Sequence, residues 1–282
     1  MPEENQRIRS EEIDTDTYIH LLSITDPLRE PIIRSAIQTL RLPKGSRGLD
    51  AGCGIGSQAL LLAEAIGPPG HVTGLDINPE MLNHARAVTA EKGLADRISF
   101  KEGRIENLPF GDDAFNWLWS ADCAGYGTKD PIRILTELAR VVRPEGTVAI
   151  LIYSSQQLLP GYPMLEARLN ATAQGIEPFT LSMKSKTHWL RALGWFRKAS
   201  IETPRVKTFI HTVSAPMSDS IYQALTALIH MRWEGAESEL NPNDLAEYQR
   251  RSDPTSRNFI LNLPDYYGFF TYSMFWGKVC KR

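Results

Sequence analysis

Apolar residues recur along this chain in two rhythms, and the rhythm changes near residue 47. Leu28, Ile32, Ile33, Ala36, Ile37 and Leu40 stand three or four positions apart, the spacing of one helix face, and residues 43–45 end the run. TYIHLLSI, just upstream, reads as a separate helical piece, and residues 1–16 read as a solvated lead-in. Short apolar stretches follow: SRGLDAG, HVTGLDI, ISFKEG, FNWLWSAD and TVAILIY, each of strand length. Helix-period segments separate them. Ser57–Ile66 is closed by GPPG. NPEMLNHARAVTAEKGL has Asn78 as N-cap, Pro79 at the first helical position and Gly93 at the stop. PIRILTELARVVRPEG places Arg140 and Arg143 in a last helical turn before Pro144 and Gly146. Alternation of strand and helix over residues 47–153 predicts an α/β fold with a doubly wound, Rossmann-like, mostly parallel sheet.

Beyond Tyr153 the alternation fails. Residues 154–197 hold two helical patterns, ASIETPRVKTFIHTV reads as a sixth strand, and residues 216–251 are helical again. YGFFTYSMFWGKV alternates and is aromatic, which predicts an antiparallel closing strand and a seven-stranded sheet. The expected organisation is an N-terminal helical lid at residues 1–44 and one domain at 45–282. Helical cap insertions are expected at 154–197 and 214–266.

Composition narrows the function classes. The 282 residues suit one α/β domain with insertions, and the formal net charge of −2 gives no global attraction to nucleic acid or an anionic membrane. No apolar run approaches the roughly 20 residues of a membrane span. MPEENQRIRSEEIDTD lacks the apolar core of a signal peptide, so a cytoplasmic protein is expected. Cys53, Cys123 and Cys280 match neither a disulfide framework nor a zinc spacing, and are read as reduced thiols. The pattern leaves oligomeric state open.

The candidate chemistry begins at LDAGCGIGSQ. Three glycines after a strand let a ligand approach the backbone, at a helix start that offers N–H groups. The spacing is Gly52-x-Gly54-x-Gly56, whereas a dinucleotide fingerprint needs glycine where Ser57 stands. Asp50, just before the loop, disfavours a pyrophosphate and suits a cationic ligand. Asp76 ends the second strand, 24 residues after Gly52, where an acid can accept from both hydroxyls of a ribose. An adenosine ligand with a positive charge and no diphosphate fits these features, and S-adenosylmethionine is such a molecule.

LDAGCGIGSQALLLAEAI, VTGLDINPEMLNHARAVTAEKGL, ISFKEGRIENLPFGDDAFNWLWS and ELARVVRPEGTVAIL resemble the successive motifs of class I S-adenosylmethionine-dependent methyltransferases. The subgroup is the small-molecule type similar to quinone-biosynthesis and sterol methyltransferases, and the resemblance covers residues 45–153. It implies that the backbone at Gly52, Cys53 and Gly54 packs on the methionine portion, with Asp50 near its amino group. Asp76 is then the ribose ligand, and Ile77 and Met81 line adenine and ribose. The family has an acid at position 104 to accept from the adenine amine. Arg104 has no acceptor. It either stacks on adenine by its planar face or leaves the role to Glu106. Ile105 is expected to supply a backbone N–H, Ser120 to contact the cofactor through its backbone, and Tyr18 to close over it.

Two residues are candidates for catalysis: Asp122, just after the fourth strand, and His188. His20, His211 and His230 also lie in segments that can face a substrate. SADC stands where amino-methylating enzymes of DNA and protein carry an NPPY-like motif, which argues against those targets. The many aromatics after residue 188 are read as core beneath a cap, or as lining of an apolar pocket. The expected activity is in-line methyl transfer from S-adenosylmethionine to a small, partly apolar molecule, without a metal. The alternative is a non-methylating S-adenosylmethionine-binding regulator or interaction module on the same fold.

Overall fold

The computed structural model describes residues 14–180 and 183–281. Most of the expected lead-in therefore lies outside the described residues. Seven strands form one sheet: β1 (Arg47–Ala51), β2 (His71–Asp76), β3 (Ile98–Glu102), β4 (Phe115–Ala121), β5 (Val142–Gln157), β6 (Ile201–Ser214) and β7 (Tyr267–Val279). Their order is β3-β2-β1-β4-β5-β7-β6. The ladders from β3 to β5 are parallel, and β7 runs antiparallel to both of its neighbours. The seven-stranded, mostly parallel sheet with its antiparallel strand is the fold expected from the sequence.

Helices α1 (Thr15–Leu40), α2 (Ser57–Ile66), α3 (Pro79–Glu91) and α4 (Pro131–Arg140) flank the first half. Beyond β5 come α5 (Pro163–Ala171), α6 (Ala192–Lys198), α7 (Asp219–Trp233) and α8 (Pro242–Ser252). Period-two side-chain placement divides the core. Trp117, Trp119, Ala149 and Leu151 face one apolar cluster with α1, α2, α5 and α7. Leu118, Val148, Ile150 and Ile152 face the other with α4 and α6. Each fully buried Leu or Ile contributes about 1.5–3 kcal/mol, so both faces must be covered.

Expected caps occur where the chemistry puts them. The Asn78 side chain accepts from the N–H groups of Glu80 and Met81, and Gly93 follows α3 with φ 68°. Two expectations need correction. The two N-terminal helical pieces are one helix of 26 residues that carries Pro27 and Pro31 internally. Side-chain hydroxyls of Ser23, Thr25 and Ser35 donate back to carbonyls of the preceding turn, and burial of Leu28, Ile32 and Ile33 holds the helix together through its prolines. Arg143 is not in a helix: α4 ends at Arg140, and β5 begins at Val142 because the Phe115 amide donates to the Val141 carbonyl and draws the chain into the sheet.

Helix α1 packs against α7, β6 and α2. It is anchored to the start of α2 by Asp26, whose carboxylate takes a 2.6 Å bond from the Arg29 guanidinium and a short one from the Ser57 hydroxyl. Among the described residues, no helix is long and apolar enough to cross a membrane, and no cluster of three or more His, Cys, Asp or Glu could hold a metal.

Candidate active site

The carboxyl ends of β1, β2 and β4 meet at the glycine loop, the position where open α/β sheets hold ligands. Gly52, Gly54 and Gly56 have φ of 79°, 50° and 80°, a region that side-chain-bearing residues rarely adopt. At Gly52 space is also limiting: a Cβ would lie 2.3 Å from the Cys123 sulfur. At Gly54 a Cβ would meet nothing within 4 Å, so the loop presents bare backbone to open space there.

The loop's N–H groups are directed inward. Those of Gly52 and Cys53 donate to the Leu75 carbonyl at 2.7 and 3.0 Å, and that of Gly56 donates to the Cys53 carbonyl at 2.9 Å. The Gly54 amide donates to Asp76 Oδ2 at 2.8 Å, and the Asn78 amide to Asp76 Oδ1 at 3.1 Å. The amides of Gly52, Cys53, Gly54 and Gly56 are thus already committed and not offered to a diphosphate. Its electrostatics favour a cation. Asp50 is 1% exposed, and its Oδ2 has no partner among the described residues. Burial, reinforced by the charge of Asp76, pushes the Asp50 pKa up to about 8. Both thiols beside the loop, Cys53 and Cys123, are pushed upward by burial and remain protonated and inert.

The rim follows from the next turns. Ile77 is 58% exposed immediately after β2, while Met81 is buried beneath it on α3. Arg104 reaches Glu106 at 3.6 Å, and both side chains are substantially exposed. Ile105, between them, packs on the α4-side core. Ser120 is fully buried; its hydroxyl donates to the Ala51 carbonyl at 2.7 Å and accepts from the Ala124 amide at 3.1 Å. That pair ties the end of β4 to the end of β1. Tyr18, on the first turn of α1, lies near enough to Tyr126 to help raise that hydroxyl's pKa.

Asp122 occupies the next position at the sheet's carboxyl edge, with φ 48°. Its carboxylate accepts from the Tyr153 amide at 2.8 Å, and the Tyr272 hydroxyl reaches it as well. Burial outweighs these bonds and the nearby Arg29 and Arg232 charges, so its pKa is raised. Tyr126, Tyr153 and Tyr272 surround this acid, and their hydroxyls are raised chiefly by burial. His188 is held elsewhere: Nδ1 accepts from the Leu190 amide at 3.2 Å, with the Phe179 ring 4.7 Å away and Trp189 stacked at 5.4 Å.

The fold therefore gathers Asp50, Gly52, Cys53, Gly54, Asp76, Ile77, Met81, Ser120 and Asp122 along one edge, and none of the described contacts of His188 reaches that group. Sequence reading passed over Arg29, Tyr126, Tyr153 and Arg232. The signal available was a cation beside apolar helix positions: Arg29 adjoins buried Leu28, and Arg232 adjoins buried Trp233.

A methyltransferase-domain family model matches residues 42–199. Demethylmenaquinone methyltransferase of Listeria monocytogenes is 30% identical over 174 residues, which cover 61% of this chain and 69% of that one. Among solved structures, the YcgJ protein of Bacillus subtilis superposes with a TM-score of 0.55 at 18% identity, covering 89% of this chain and 98% of that one. A SAM-dependent methyltransferase of Aquifex aeolicus superposes with a TM-score of 0.51 at 20% identity, covering 71% and 92%. An open glycine loop on a sheet of this order, with these relatives, leads to one conclusion: the chain belongs to the methyltransferase-domain family, as a class I S-adenosylmethionine-dependent methyltransferase.

Proposed function

We propose that this enzyme methylates a small, partly apolar acceptor held at the carboxyl ends of β4 and β5, beneath α1 and the cap helices. The observation that carries the cofactor assignment is Asp50, a buried carboxylate with an unpartnered oxygen beside the open backbone of Gly54. An ammonium there restores the charge that burial suppresses. The Asp76 oxygens each accept one backbone N–H and keep capacity for a ribose hydroxyl. The exposed Ile77 side chain offers an apolar surface for adenine, and the Arg104–Glu106 pair stands at its edge. Tyr18 and α1 close the site as a lid.

When bound, S-adenosylmethionine would be held by Asp50, Asp76 and the glycine-loop backbone, and would supply an electrophilic methyl group on a positive sulfur. The chain's task is alignment of acceptor and methyl and exclusion of water. Asp122 takes the acceptor's proton where one must leave, and its raised pKa brings it toward the working pH of a general base. His188, committed to the Leu190 amide, serves the cap instead. The Listeria relative is named for demethylmenaquinone, and a partly apolar, quinone-like acceptor is in keeping with that likeness.

Transfer of labelled methyl to a fractionated cell extract tests this reading. Label is expected in small, organic-extractable molecules, and Asp76→Ala is expected to abolish it together with S-adenosylhomocysteine binding. Label found only in protein or nucleic acid overturns the acceptor class, and unchanged affinity in Asp76→Ala overturns the ribose assignment.

A further inference from the structure

The cap carries a second polar corner that methyl transfer does not require. Arg232, on the last turn of α7, donates to the Gly175 carbonyl at 2.7 Å and lies 5.4 Å over the Tyr153 ring. Its Nε is buried with no hydrogen-bond partner among the described residues, while its charge acts on Asp122. Among the described residues, the Nε2 of neighbouring Gln174 is buried without a partner, and the Tyr153 hydroxyl is in the same condition. These three groups come from three separate elements, yet each is a hydrogen-bond donor, and native proteins rarely leave such atoms unmatched without a use.

The surroundings fix this corner rigidly. The Tyr153 amide is bonded to Asp122, and its ring stacks on Phe270 at 6.1 Å. Trp233, beside Arg232, and Gln156 both donate to Asn170 Oδ1, at 3.0 and 2.8 Å. Glu166, a buried acid on neighbouring α5, spends its carboxylate on the Leu158 and Leu159 amides, so it does not neutralise Arg232. Asp122 is hydrogen-bonded by Tyr153 and Tyr272, and the charges of Arg29 and Arg232 both act on it. The corner thus combines three donors that lack acceptors among the described residues with a positive charge whose neighbouring carboxylate, Asp122, is pushed toward its neutral form by burial.

We propose that Arg232, Gln174 and Tyr153 form an oxyanion-binding subsite that anchors the acceptor, so the acceptor is an apolar ring system carrying an anionic oxygen group. This rests on the acceptor site proposed above. Charge selects the acceptor: an oxyanion accepts from all three donors, whereas a neutral amide brings donors of its own and no charge.

Calorimetric titration of the enzyme saturated with S-adenosylhomocysteine tests it, using 2-naphthoate and its neutral isostere 2-naphthamide as probes. Naphthoate is expected to bind at least about tenfold tighter than naphthamide. Arg232→Gln is expected to erase that preference while the affinity for S-adenosylhomocysteine stays at the wild-type value. Gln174→Leu, which leaves the guanidinium in place, is the second variant should the first not fold, and a reduced preference is expected there too. Equal binding of both probes, no naphthoate binding, or a preference that survives the substitutions overturns the subsite. Failure of S-adenosylhomocysteine itself to bind is a separate result: it removes the functional reading, and this inference with it.

Discussion

The proposed cofactor contact at Asp50 rests on one carboxyl group, and its protonation has a measurable sign. An unfolded aspartate ionises near 4, whereas burial holds Asp50 protonated up to about 8. Between those values the folded protein binds a proton that the unfolded chain has lost, so this group makes the ligand-free protein less stable as pH rises from 4 to 8. A bound ammonium reverses the preference and favours the carboxylate. Binding S-adenosylhomocysteine is therefore expected to expel about one proton at pH 6.5, and the affinity to rise with pH until about 8. Calorimetry in buffers of different ionisation enthalpy reads that proton directly. Asp50→Asn is expected to bind weakly and release none; a wild-type enzyme that releases none contradicts the assignment. The position of Asp50 was legible because it directly precedes a glycine loop. Its burial and its orphaned oxygen were not, since both depend on the strands that flank β1.

At the scale of elements, Ser57 shows how a correct exclusion can miss a structural role. Its presence where a dinucleotide fingerprint needs glycine ruled out that ligand class, but the hydroxyl has a positive use: it donates to Asp26 and ties α1 to α2 across 31 positions of chain. No periodicity links those two residues, so the tie is invisible to pattern reading. The same limit hid the continuity of α1, where tertiary burial overrides two internal prolines. Ser57→Gly completes the G-x-G-x-x-G spacing. It is expected to create no affinity for NAD, because the amides of Gly52 and Cys53 remain bonded to the Leu75 carbonyl, that of Gly54 to Asp76 and that of Gly56 to the Cys53 carbonyl. It is expected to lower stability by about 1.5–3 kcal/mol, the range for a hydrogen bond to a charged group. Denaturant unfolding beside a NAD titration checks both, and a variant that gains NAD binding contradicts the loop's electrostatic reading.

For the whole molecule, legibility follows the source of the information. Residues 47–153 were readable because strands and helices there repeat one βα unit with local caps, and the proposed cofactor residues sit at strand ends that the units define. The acceptor side is different: Arg29, Asp122, Tyr153, Arg232 and Tyr272 come from five elements or turns, brought together by antiparallel β7 and by the packing of α1 on α7. A cofactor seated on the readable half should therefore stabilise the entire fold, because α1 bridges both halves through Ser57 on one side and α7 on the other. Ligand linkage sets the size: at a hundredfold excess over Kd, a ligand specific to the folded state adds about 2.7 kcal/mol. At roughly 2–4 °C per kcal/mol for a domain of this size, S-adenosylhomocysteine is expected to raise Tm by roughly 5–10 °C. NAD and ADP at equal concentration are expected to raise it by less than about 1 °C, since their diphosphates meet committed N–H groups and the Asp50 carboxyl. Differential scanning calorimetry reads all three ligands on one preparation. A single transition that shifts as a unit with S-adenosylhomocysteine supports coupling of the two halves, whereas a split transition, with only one part shifted, shows that α1 does not bridge them.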